Sequence, residues 1–173
     1  MRGITVVISG PPGSGKSTVA RKLSSDLGLR HVSAGQIFRK MAEEMGLSLL
    51  ELNELASRNP EIDMRIDRMV IEEAKRGNVV IEAHLGGWVV QNADLNVYLT
   101  APLPVRARRI ALRDGVDVEV AMNEILKREE LQWRRFKSLY GFDVTSLSHF
   151  DLVINTEKYR PDEIVDIIKL KLL

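Results

Sequence analysis

The chain has 173 residues, 25 Lys+Arg against 24 Asp+Glu, a net charge of +1 and no cysteine. That size suits one domain, and 45% hydrophobic with 28% charged residues argues against disorder. Without thiols, disulfides, thiolate zinc sites and cysteine nucleophiles are excluded, and the balanced charge gives no support to a nucleic-acid polymer or a membrane surface as partner.

Met1-Arg2-Gly3 leads straight into Ile4–Ser9, a β-branched apolar run that predicts a strand buried on both faces. Gly10 to Gly15 is a Gly/Pro loop. A helix follows with Val19, Ala20, Leu23 and Leu27 on one face and Gly28 as its stop. His31–Ser33 is a short second strand. Helical patterns run from about Gln36 to Met45, Ser48 to Ala56 and Glu61 to Lys75, the last two parted at Asn59-Pro60. Val79–Glu82 and Leu95–Thr100 are further buried strands. Helices are expected from about Pro104 to Arg113 and from Val118 to Leu139, then a fifth strand at Asp151–Asn155 and a last helix from Pro161. Strands alternating with helices predict an α/β fold with a parallel sheet of about five strands and helices on both faces. Residues 1–173 form a single domain, with helical pieces near 36–76 and 113–140 set apart from the sheet.

Local charge is uneven. Residues 41–76 hold nine acids and five bases, and residues 105–140 hold nine bases and six acids. A basic stretch in a neutral protein suits a small anionic ligand. No run approaches the roughly 18–20 apolar residues of a membrane span, and no signal peptide is expected. A cytoplasmic protein follows as the expectation. His31, His84 and His149 lack metal-ligand spacing.

Gly10, Pro11, Pro12, Gly13, Ser14, Gly15, Lys16 and Ser17 match G-x-x-x-x-G-K-[ST] in full. The glycines let successive N–H groups turn inward around an anion, and the helix that starts there adds its positive dipole end. Lys16 reaches β- and γ-phosphates, and the Ser17 hydroxyl is a hard oxygen ligand for Mg²⁺. A strand before and a helix after satisfy the context that the motif needs. GTPases read guanine through N-K-x-D, which is absent. The short chain points to a small-molecule kinase whose second substrate meets dispersed arginines.

These features resemble the nucleoside monophosphate kinases, most closely the archaeal type of cytidylate kinase, over nearly the whole chain. Gly10–Thr18 is similar to the family's phosphate loop. Ser33-Ala34-Gly35-Gln36-Ile37-Phe38-Arg39 is similar to its acceptor cradle, Glu82-Ala83-His84 to its third strand end, Arg106–Ile110 to the opening of its lid, Arg128–Asp143 to the lid closure, and Asp151–Thr156 to its last strand and adenine loop. The resemblance implies a three-layer P-loop fold with an acceptor-binding piece at about 36–76 and a lid at about 113–140. It implies ATP-dependent phosphorylation of CMP and dCMP by a monomer, in pyrimidine nucleotide metabolism. Lys16, Arg128 and Arg135 are then catalytic. Gly10–Thr18 and Arg109 hold ATP. Ser33, Gly35, Arg39, Asp63 and His84 hold the acceptor. Ser17, with Glu82 through water, holds Mg²⁺. His84 stands where bacterial relatives carry arginine, and Ala83 replaces a common glycine.

Each assignment has a plainer competitor. For Arg39 the competitor is a solvated arginine, and for Glu82 a strand-end acid in water; the site role is favoured for both. Arg109, Arg128 and Arg135, like Arg108, Arg113 and Arg134, are also what a charged helix surface provides. Asp63 and Asp67 lie four apart near Arg65 and Arg68, which suits salt bridges as well as base recognition. Trp88 and Trp133 fit packing better than base stacking, and His31 and His149 read as structural or surface residues. Adenylate or UMP kinase, a P-loop kinase for a small non-nucleotide acceptor, and a nucleotide switch are the competing functions.

Overall fold

The computed structural model describes residues 3–173. The elements run β1 Thr5–Ser9, α1 Lys16–Leu27, β2 Arg30–Ser33, α2 Ala34–Met45, α3 Leu49–Arg58, α4 Glu61–Arg76, β3 Val79–Glu82, α5 Gly86–Val89, β4 Leu95–Thr100, α6 Leu103–Asp114, α7 Val118–Tyr140, β5 Leu152–Asn155 and α8 Pro161–Leu172. The five strands pair in parallel in the order β2-β3-β1-β4-β5. β1 and β3 are buried throughout, as continuous apolar runs demand of central parallel strands.

Alternation along β1 sorts its side chains between two layers. Val6 and Ile8 pack with Val19 and Leu23 of α1 and Ile164, Val165 and Ile168 of α8. Val7 points the other way, onto Ile66, Val70 and Ala74 of α4 and Val90. Separate clusters join α6 to α7 through Ala107, Ile110, Ala121 and Ile125, and α2 to α3 through Ala42, Leu52 and Ala56. The helices outside the sheet thus form two small bodies with cores of their own.

Helix ends follow local chemistry. Ser48 and Glu51 form a capping box at α3, and α1 stops where Gly28 turns left-handed at φ 63°. One expectation needs correction, and one element was not anticipated. Leu27 lies at the surface, and Ser24 takes the buried place because its hydroxyl donates to the Ala20 carbonyl at 2.7 Å. The single turn of α5, entered through Leu85 and containing two glycines, leaves no periodic pattern to read. Among the described residues no helix is long and apolar enough to cross a membrane.

Candidate active site

The phosphate loop leaves the C-terminal end of the central strand β1 and enters α1. Gly13 has φ 78°, and a Cβ there would lie 2.7 Å from the Arg106 carbonyl oxygen. Gly15 caps α1 at φ 92°. Both positions need a residue without a side chain. The Gly10 N–H donates to the His84 carbonyl at 3.2 Å, joining the loop to the end of β3. Thr156, after β5, donates its hydroxyl to the Ser14 carbonyl at 2.7 Å.

Beside the loop opens a cavity of about 1020 Å³ that reaches from α1 and the β5–α8 connection to α2, α4 and α7. This volume is at the upper end of small-molecule sites. Lys16 donates to the Pro11 carbonyl at 3.1 Å. Burial pushes its ammonium down to about 8, against the opposing pull of Glu82 and with Arg128, Arg106 and Arg39 adding repulsion. Burial also lowers Arg128, whose Nε is enclosed without a hydrogen-bond partner. Arg39 lies over Gly35, and its guanidinium Nη1 would be 3.6 Å from a Cβ there. Cations from α1, α2, α6 and α7 therefore face one space, which favours an anion of several charges.

The structure brings most of the expected residues together. Pro12, Gly13, Gly15, Lys16, Ser17, Thr18, Gly35, Arg39, Asp63, Glu82, His84, Arg109, Arg128 and Arg135 line the cavity, as does Arg113. Ser33 does not line it. Its Oγ accepts from the Gln36 N–H at 3.2 Å and caps α2, so it holds the start of the helix that carries Arg39. Gly10, Pro11 and Ser14 act from within the loop. Arg108 and Arg134 are exposed away from the cavity, and Arg134 pairs with Glu130 at 2.6 Å.

Several partners differ from a simple reading of the sequence. Arg109 donates to the Gly13 carbonyl at 3.1 Å and to the Thr156 hydroxyl and carbonyl at 2.8 and 3.0 Å. It clamps the loop to the β5–α8 connection at one end of the cavity. Asp63 and Arg135 find each other: Nε to Oδ2 is 2.5 Å and Nη2 to Oδ1 is 3.1 Å, with Asn53 accepting from Nη1 at 3.1 Å. Neither is a free surface charge. Asp67 accepts from the Tyr140 hydroxyl at 2.5 Å, and burial pushes its carboxyl up to about 6. His84 donates through Nδ1 to Gln132, and burial together with Lys16 pushes it down to about 3, so it is a neutral imidazole at pH 7. Trp88 packs edge-on against Tyr98 and Phe150, and Trp133 is 43% exposed.

The hard-oxygen corner is built by three elements. Ser17 in the first turn of α1 donates its hydroxyl to Glu82 Oε1 at the end of β3, and His31 Nε2 on β2 is 2.7 Å from Glu82 Oε2. Among the described residues no group of three or more His, Asp or Glu side chains gathers for a metal ion. A hydroxyl with one carboxylate suits a cation that keeps waters and takes its other ligands from substrate phosphates.

Sequence reasoning gave no individual site role to Arg106, Glu129 or Gln132, and it read His31 as structural or surface. Arg106 is buried, donating to the Ala101 and Pro12 carbonyls at 3.0 and 3.2 Å and to Glu129 of α7 at 2.7 Å. Its place at the head of α6, beside a loop rich in carbonyls, was the available signal. His31 sits diagonally across β2–β3 from Glu82, two residues from the Ser33–Glu82 pair, which no one-dimensional pattern reveals.

A sequence model of the "Cytidylate kinase-like family" matches residues 5–158. The chain is 70% identical over 169 residues to a cytidylate kinase of Ignicoccus hospitalis, covering 97% of this chain and 98% of that one. It is 54% identical over 166 residues to a cytidylate kinase of Sulfurisphaera tokodaii, covering 95% and 92%. Solved structures share the fold at lower identity. An uncharacterized protein of Eubacterium ventriosum superposes with TM-score 0.71 at 18% identity, covering 98% of each chain. Shikimate kinase of Acinetobacter baumannii gives 0.59 at 17%, covering 98% of this chain and 93% of that one. With a P-loop opening onto a cation-lined cavity and full-length relatives at this identity, the chain belongs to the cytidylate kinase-like family.

Proposed function

We propose that this protein transfers the γ-phosphoryl group of ATP to CMP and dCMP. The observation that carries the reading is the convergence of Lys16, Arg39 and Arg128 on one cavity large enough for two nucleotides, in a chain whose relatives are named cytidylate kinases. The donor's phosphates lie against the loop amides and Lys16, with its base toward Arg109 and Thr156. The acceptor's phosphate faces Arg39 from α2, and its base faces the α4 wall of Asp63 and Asp67. The pieces at about 36–76 and 113–140 serve as acceptor-binding region and lid. The protein acts as a cytoplasmic monomer on free nucleotides.

No protein base is needed. The acceptor phosphate has a second pKa near 6 and is already a nucleophile at pH 7. Its oxygen attacks the γ-phosphorus, ADP leaves, and catalysis is positioning with charge neutralisation. Lys16 and Arg128 neutralise charge on the transferring group, and the α6–α7 body excludes water. Ser17, with Glu82 through water, would hold Mg²⁺, which when bound offsets the negative charge of the phosphate oxygens.

Cytosine presents an amino donor where uracil presents a carbonyl acceptor. An acidic wall accepts from the first and repels the second. A buried polar group left unpaired costs about 1–3 kcal/mol, enough for tenfold selection. A coupled assay with CMP, dCMP, UMP, AMP and GMP at fixed ATP tests this. CMP and dCMP are expected to exceed UMP at least tenfold in kcat/KM. Equal use of UMP would overturn the base assignment, and turnover of AMP alone would overturn the cytidylate reading.

A further inference from the structure

The cavity wall holds a chain of three side chains, His31, Glu82 and Ser17, in which His31 has no role yet assigned. Glu82 is 4% exposed, and its two oxygens are divided between two neighbours. Oε1 accepts the Ser17 hydroxyl proton, and Oε2 is 2.7 Å from His31 Nε2. The sheet sets up this chain of contacts. His31 pairs with Val80 and Ser33 with Glu82, so His31 and Glu82 are diagonal neighbours on one face of β2–β3. Val80 packs on that face with Val19 and Leu23 of α1. The first turn of α1 thus brings Ser17 to Glu82 from above, while His31 reaches it from the side.

The chemistry of the chain is directional. A serine hydroxyl has one proton and two lone pairs, and its rotor is otherwise free. Donating that proton to Glu82 turns the lone pairs away from the carboxylate and toward the loop's phosphate site. Glu82 does this only while its own carboxylate plane is fixed. His31 Nε2–H, donated to Oε2, fixes it. We propose that His31 is a positioning residue for the divalent cation that accompanies ATP, acting through Glu82 on the Ser17 hydroxyl. The inference rests on the kinase reading and on Ser17 as the cation's protein ligand. His31 also lines the cavity, but the role assigned to it runs through Glu82 rather than through contact with nucleotide or metal.

The distinguishing property is a defect in what the cation adds to nucleotide binding, with the nucleotide's own affinity kept. Partners of this kind change metal affinity by roughly 10- to 100-fold when removed. Calorimetry with ADP measures the effect without turnover. Binding is compared with Mg²⁺ present and with EDTA, and the ratio is the metal's advantage. In His31→Leu this ratio is expected to fall at least tenfold, with ADP affinity in EDTA and the CMP KM within about threefold of wild type. His31→Gln extends an amide N–H to the same depth and is expected to restore most of the ratio. His31→Asn is too short and should behave like His31→Leu, which keeps the test open if the leucine variant fails to fold. Half-saturating free Mg²⁺ in the coupled assay should rise in parallel.

An unchanged ratio in folded His31→Leu or His31→Asn overturns the proposal. So does an equal loss of ADP affinity in EDTA that His31→Gln does not rescue, because that marks a packing role. If wild type shows no metal advantage, or Ser17→Ala leaves it intact, the cation-site reading fails first and the proposal with it.

Discussion

Arg135 on α7 grips both carboxylate oxygens of Asp63 on α4, and the two side chains are 5% and 6% exposed. This buried ion pair ties α7 to α4 in the wall of the cavity. Removing one member leaves a charge without its partner, which typically costs about 3–5 kcal/mol. Asp63→Ala and Arg135→Ala are each expected to lower the urea midpoint markedly. The double variant should lose less than the two single losses added together. Asp63→Asn should also narrow the CMP/UMP ratio of kcat/KM, since an amide donates as well as accepts. An unchanged ratio would move base recognition to another residue, with His84 next in line.

Lys16→Ala is expected to reduce kcat by roughly 10²–10³ in a folded protein, the loss usual for one electrostatic donor at a transition state. Near-wild-type turnover would refute the role of the loop.

The ammonium of Lys16 also has a proton signature. Its folded pKa, about 8, lies below the ordinary 10.5. Between these values the unfolded chain holds more protons, so stability from this group rises with pH across the window and is lost as pH falls through about 8. A bound polyphosphate favours the charged form. ATP binding near pH 9 is therefore expected to take up close to one proton, seen as a binding enthalpy that depends on the ionisation heat of the buffer. Lys16→Met should abolish the dependence.

Arg39→Ala should raise the CMP KM by roughly tenfold to over a hundredfold while leaving the ATP KM nearly unchanged, as expected for a charge-assisted hydrogen bond to the acceptor alone. Steady-state kinetics varying each substrate in turn decides this. A rise confined to ATP would reassign the residue.

Asp67 titrates in the opposite sense. Burial raises its carboxyl from 3.8 to about 6, and the hydrogen bond from Tyr140 holds it below where burial alone would put it. Its stabilising contribution is full below pH 3.8 and lost as pH rises through about 6. Tyr140→Phe should move the carboxyl resonance midpoint upward in a ¹³C NMR titration. Asp67→Asn should remove the fall in stability between those two pH values.

The strands, the long helices and the phosphate loop were legible because each depends on local periodicity or a contiguous motif. Val79–Ile81 is apolar without alternation, and its shortness with the Gly77-Asn78 entry marks a strand covered on both faces. Pairings across the chain were not legible. Nothing near Asp63 in sequence indicates Arg135, 72 residues away, and the individual arginines of α6 and α7 look alike until tertiary contacts sort them. Arg106 turns inward to carbonyls, Arg134 turns outward to Glu130, and Arg128 faces the cavity. The sheet order, which makes His31 a neighbour of Glu82, likewise follows from packing.

Two buried ion pairs fix α7 at points six residues apart, where a fulcrum would lie. Glu129 is anchored to Arg106 at the base of α6, and Arg135, six residues on, is anchored to Asp63. The arm from Glu129 back to Val118 is 11 residues, about 16 Å at 1.5 Å per residue. A tilt of about 10° at the anchored stretch would carry the α6–α7 turn through roughly 3 Å at that radius, while Arg128, beside the pivot, would scarcely shift. The Arg128 guanidinium would then be the steady part of a swinging gate, and the sweep would belong to Arg113 and Asp114 at its tip.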